Sequence, residues 1–141
     1  MEYRLVDRLP TVAEFVAVTR AVGWDDAYDQ AAIPASLAGS LHGVLAVEGD
    51  RVIGLGRLIG DGAIYYYLQD LAVVPERQRR GVGAAILRRL EEWIAGRASN
   101  RTFVGLFAAG ESASLYRRFG YAVHDGMAGM FRVGPLSADP R

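Results

Sequence analysis

Three strand-like runs follow one another with very short links, and this constrains the fold more than any other feature of the chain. Residues 43–48 and 51–59 are apolar runs separated only by Gly49-Asp50, a two-residue link of the kind that closes a hairpin. Asp61-Gly62 marks a second turn. Residues 63–74 form a third run, rich in strand formers: Tyr65, Tyr66, Tyr67, Leu71, Val73 and Val74. Strands in such close succession imply an antiparallel meander.

Helical patterns flank the meander. Residues 2–7 alternate polar and apolar side chains and read as a first strand. Pro10 and Thr11 then open a helix, with Thr11 and Glu14 in the spacing of a capping box. Val12, Phe15, Val16 and Thr19 fall on one face, and Gly23 ends the helix. A weaker helical stretch runs from Trp24-Asp25-Asp26 towards Leu37, interrupted by Pro34 and bounded by Gly39. After the meander, residues 84–95 carry an apolar stripe of Ile86, Leu87, Leu90, Trp93 and Ile94, with Gly96 as terminator. Residues 102–107 read as a strand, 111–119 as a short helix closed by Gly120, and 121–124 and 130–133 as short strands. The order predicts an α/β fold around one mixed sheet. Residues 1–134 are expected as a single domain, with 135–141 as a loose tail.

Composition narrows the chemistry. With 141 residues, 51% of them hydrophobic, the chain can bury a core without a covalent staple. It has no cysteine, so thiolate nucleophiles and thiolate metal sites are excluded. Sixteen acidic residues balance sixteen basic ones, all of them Arg. No global charge draws the chain to nucleic acid or to a membrane surface. No apolar run approaches the roughly 20 residues of a membrane span. The N-terminus lacks the apolar core of a signal peptide, so a cytoplasmic location is the default expectation.

The chemistry concentrates in LAVVPERQRRGVGA, residues 71–84, which passes from a strand through a basic loop into a helix. A helix start offers unpaired N–H groups and a partial positive charge. Gly81 and Gly83 let the backbone approach a ligand closely, and Arg79 and Arg80 add full charges. Together they form a phosphate cradle. A Walker loop is excluded because the chain has no Lys. A dinucleotide fingerprint is disfavoured because Ile86 stands where a third small residue is needed and because a meander precedes the loop. The remaining form is Gln-x-x-Gly-x-Gly, met by Gln78, Gly81 and Gly83.

This stretch resembles the pyrophosphate motif of the GNAT acetyltransferases. VIGLG, residues 52–56, looks like that family's third strand, and SLYRRFGY, residues 114–121, like its last helix and following strand. The likeness covers nearly the whole chain. It implies a single-domain fold with a mixed, mostly antiparallel sheet, a splayed central strand and flanking helices. It implies acetyl-CoA as co-substrate, no metal, and a small-molecule or peptide amine as acceptor, and it allows a homodimer.

The resemblance also assigns roles. Backbone groups of Leu71, Ala72 and Val73 would pair with the pantetheine arm, with the Val73 N–H as oxyanion donor. Gln78, Arg79, Arg80, Gly81, Val82, Gly83 and Ala84 would hold the pyrophosphate. Tyr116 matches the family's tyrosine that faces the CoA sulfur and would protonate the leaving thiolate. The family often has Asn near the start of this last helix, where this chain reads Ala109, Gly110, Glu111 and Ser112; Ser112 caps the helix or reaches the pantetheine. Family members often place a base where Tyr67 and Gln69 align here, and neither is a good base. Asp70 is the adjacent candidate if a bulge turns it to their face; a water relayed by Tyr67 or Gln69 is the other. Trp24, Tyr67 and Gln69 would meet the acceptor. His42 and His124 read as structural. The alternative function is a non-catalytic acyl-CoA-binding module that keeps the fold as a sensor.

Overall fold

The computed structural model describes residues 2–136, as two compact units divided between Leu106 and Phe107. The first unit is built on a five-stranded sheet in the order β1-β2-β3-β4-β5. β1 (Arg4–Asp7), β2 (His42–Glu48), β3 (Arg51–Gly60) and β4 (Tyr65–Val73) pair antiparallel, and β5 (Phe103–Gly105) joins β4 in parallel. The expected meander and mixed sheet are therefore present.

Helices cover both faces. α3 (Val82–Ala95) lays Ile86, Leu87, Leu90 and Ile94 on one side, all buried. It sits close to β3: a Cβ added at Gly56 would lie 3.0 Å from a Leu90 methyl and 3.1 Å from one of Ile86. That close approach is what the glycines of the VIGLG stretch permit. α1 (Val12–Ala21) and α2 (Ile33–Ala38) cover the other face through Phe15, Val18, Ile33 and Leu37. The capping box at Thr11 and Glu14 is formed in both directions. Val12 is exposed, and Val18 takes the inward place. A helix of ten residues lays only one i, i+3, i+4 line on the sheet, here Phe15, Val18 and Thr19. The stretch from Trp24 to Leu37 is no continuous helix. Short 3₁₀ turns at Asp25–Ala27 and Gln30–Ala32 precede α2, and Tyr28 between them is extended.

In the second unit, a 3₁₀ turn at Gly110–Ser112 leads into α4 (Ala113–Arg118), and Gly120 follows in the left-handed region at φ 92°. The rings of Tyr116 and Tyr121 meet edge-on at 6.1 Å. The strands expected at residues 121–124 and 130–133 do not form. Three of their apolar side chains find no core: Val123, Met130 and Val133 are about nine-tenths exposed. Of the expected tail, residues 137–141 lie outside the described residues. Among the described residues no helix is long and apolar enough to cross a membrane.

Candidate active site

The pairing of β4 decides what its backbone can do. β5 pairs only with its first residues, Tyr65 to Tyr67 against Phe103 to Gly105. β5 ends there, and beyond Tyr67 no strand among the described residues pairs with that edge. The β3 side stays paired as far as Val73. The Val74 N–H donates to the Ile53 carbonyl at 2.9 Å, so the Gly54–Val73 pair is of the non-hydrogen-bonded kind. The N–H and C=O of Val73 therefore point to the open edge. Ala72, opposite Leu55, turns its own towards β3. Of the strand positions read from the sequence, Val73 turns its backbone groups to the open edge and Ala72 does not.

Past Val73 the chain enters the basic loop through a 3₁₀ turn at Pro75–Arg77. The Gln78 side chain braces this turn, its Nε2 donating to the Val73 carbonyl at 2.8 Å. Arg77 is held in a forked pair with Glu48, leaving Arg79 and Arg80 exposed with no ion-pair partner among the described residues. Gly81 caps α3 in the left-handed region at φ 83°, and a Cβ there would meet nothing within 4 Å. The first helical bond of α3 runs from the Ala85 N–H to the Gly81 carbonyl, so Val82, Gly83 and Ala84 present unpaired N–H groups at the helix start. Open space, free donors and two arginines fit a pyrophosphate.

β4 contains the bulge on which the reading of Asp70 depended. Leu55 faces Ala72 and Arg57 faces Gln69, so Gly56 alone opposes Asp70 and Leu71. Asp70 takes up the extra residue at φ 61°. The bulge swings its carboxylate to the face that carries α1 and α2, where Gln69 also reaches it. There it is sealed: Asp70 has 1% of its side chain exposed, Arg57 Nε donates to Oδ2 at 2.6 Å, and the Tyr28 hydroxyl donates to Oδ1 at 2.8 Å. Burial and the neighbouring Asp70 charge push the Tyr28 phenol above its ordinary pKa.

The same face holds a cavity of about 230 Å³. Its walls include Phe15, Ile33 and Leu37, with Tyr28, Asp29 and Arg57 as polar groups. Trp24, Tyr67 and Gln69, the acceptor residues expected from sequence, do not line it, although Gln69 is the register partner of Arg57. Tyr28 and Arg57 were missed. The available signal was Arg57 itself, the one charge in residues 52–59, with Asp70 one strand away.

In the second unit, Tyr116 is buried, and burial raises its phenol pKa. Ser112 neither caps α4 with its side chain nor stays free, since its hydroxyl donates to the Ala109 carbonyl at 2.6 Å.

Comparison with known proteins agrees with this fold. The acetyltransferase (GNAT) domain model matches residues 40–123. Histone acetyltransferase TAP1 of Glycine max is 32% identical over 91 residues, which is 64% of this chain and 38% of that protein. A probable acetyltransferase of meticillin-resistant Staphylococcus aureus superposes with a TM-score of 0.87 at 25% identity, over 95% of this chain and all of that one. A GNAT-family acetyltransferase of Streptococcus pneumoniae gives a TM-score of 0.79 at 26% identity, over 96% of this chain and all of that one.

Proposed function

Because the chain belongs to the GNAT acetyltransferase family, we propose that it is an N-acetyltransferase moving the acetyl group of acetyl-CoA to a primary amine by direct attack in a ternary complex. The observation that carries this is the continuity of one segment. The open edge of β4 runs through Val73 into exposed Arg79 and Arg80, left-handed Gly81 and the free N–H groups of α3. One half suits an extended amide-bearing arm, the other a pyrophosphate.

Acetyl-CoA supplies the activated acyl group as a thioester. The chain's own work is then limited. The Val73 N–H, turned outward and fixed by the β3 pairing, stabilises the oxyanion. Tyr116 gives a proton to the departing thiolate; a phenol carries its proton at neutral pH, and burial of Tyr116 does not change that. Tyr67 and Gln69 relay the proton of the attacking amine through water, since Asp70 is sealed from any acceptor. The amine is a small molecule or a peptide, met by the face that carries Tyr67, Gln69 and the segment from Trp24 to Leu37. The peptide class gains support from the name of the plant relative, of which this chain spans 38%. The catalytic domain is assigned to residues 1–134.

The second reading, an acyl-CoA-binding module without turnover, draws on one observation: the carboxylate nearest the open edge is committed to Arg57 and Tyr28. Thiol release from acetyl-CoA across pooled small amines and short peptides separates the two. Release that depends on an added amine, with the matching N-acetylated product by mass spectrometry, supports transfer. Binding of acetyl-CoA without release from any pool supports the module.

A further inference from the structure

Asp70 is a buried carboxylate in a left-handed conformation inside a strand, and neither feature is needed for a sheet. A non-glycine residue holds such a conformation only where its surroundings determine it. Gln69 of β4 adds a long bond to Oδ1 at 3.3 Å, and the shorter bonds come from outside β4. Tyr28, 42 residues earlier in the chain, donates to Oδ1. Its ring is fixed edge-on against Phe15 of α1 at 5.1 Å. Arg57 grips Oδ2 and extends to α2 and the turn after it, donating to the Ser36 carbonyl at 3.1 Å, the Ser36 hydroxyl at 3.1 Å and the Ser40 hydroxyl at 2.9 Å. The segment joining α1 to β2 therefore holds the bulge at two points, and the residues immediately after the bulge carry the open edge.

We propose that Tyr28 is a positioning residue which, through Asp70, sets the β4 edge at Leu71 to Val73 in the geometry that receives acetyl-CoA. The proposal rests on the reading of that edge as the acetyl-CoA strand. Tyr28, Ser36 and Arg57 also line the cavity on this face, so the cavity wall and the cofactor strand are held by one set of hydrogen bonds. Asp70 acts in this device as an acceptor of hydrogen bonds and takes no proton from the amine.

The test is Tyr28→Phe, which keeps the ring against Phe15 and removes only the hydroxyl. A hydrogen bond to a charged group is lost, which corresponds to roughly a tenfold weakening of acetyl-CoA binding if the bond serves the edge. The dissociation constant is measured by calorimetry well below the unfolding temperature, and the amide resonances of residues 69–73 are followed by heteronuclear NMR. The expected result is a weaker dissociation constant together with displaced resonances in 69–73. A merely structural bond would lower the unfolding temperature and leave both readouts at wild-type values, and that result overturns the proposal. If the wild type does not bind acetyl-CoA, the cofactor reading fails and the resonances alone decide the latch: displaced, it stands; unmoved, it falls. Ser36→Ala, which removes one hydroxyl from the far end of the Arg57 grip, gives the same two readouts at smaller amplitude and serves if Tyr28→Phe does not fold.

Discussion

A phenol serves as an acid only while it keeps its proton, and the buried Tyr116, whose pKa is moved further up by burial, keeps its own at neutral pH as any phenol does. Tyr116→Phe keeps the ring, its burial and its edge contact with Tyr121. It should therefore lower turnover by about 10²–10⁴-fold, the usual cost of losing a general acid, with acetyl-CoA affinity unchanged. Steady-state rates at saturating acetyl-CoA check this, and wild-type turnover would assign Tyr116 to packing. At this scale the sequence was legible where function follows from backbone conformation. Gly81 sits in the left-handed region with open space beside it, a conformation that favours glycine. It was less legible where function depends on who meets whom across the sheet. Tyr28 and Arg57 carry no local motif, and only the fold brings them to Asp70.

Elements with strong local signals formed where expected. The amphipathic α3 and the hairpins of β2, β3 and β4 were set by periodicity and turn residues. The helix expected between Trp24 and Leu37 was broken by a tertiary demand, since Tyr28 adopts an extended backbone and bonds Asp70. The strands expected at 121–124 and 130–133 lack a pairing partner among the described residues, which no local pattern reveals. The cap of α1 gives a pH test. The hydrogen bond from Arg8, with help from Thr11, holds the Glu14 carboxyl down at about 2 against an ordinary 4.5. Because the folded value lies below the unfolded one, the stabilisation is complete above pH 4.5 and is lost as pH falls towards 2. Glu14→Gln should lower stability at neutral pH by about 1 kcal/mol, the scale of a partly exposed pair. That is a drop of roughly 2–4 °C in melting temperature. The gap to wild type should close as the buffer is taken from pH 4.5 to pH 2. A gap that stays constant over that range would mean that Glu14 acts through helix propensity instead.

For the whole molecule, the order of elements was legible because each strand or helix announces itself locally. The open edge of β4 was legible only through the family resemblance, since it depends on β5 ending after three paired residues. That short β5 is what leaves the rest of this β4 edge without a paired strand among the described residues. It also makes the account vulnerable in one place. The edge and the loop must act as one site, with the edge taking the pantetheine arm and Arg79, Arg80 and the α3 amides taking the pyrophosphate. Calorimetric titration of the intact protein with acetyl-CoA and with S-acetylpantetheine, which shares the arm and thioester but lacks the pyrophosphate, tests this directly. Charge-assisted bonds are worth about 1.5–3 kcal/mol each, so acetyl-CoA should bind at least roughly tenfold more tightly. Equal affinities would show that the loop holds no pyrophosphate and would contradict the account.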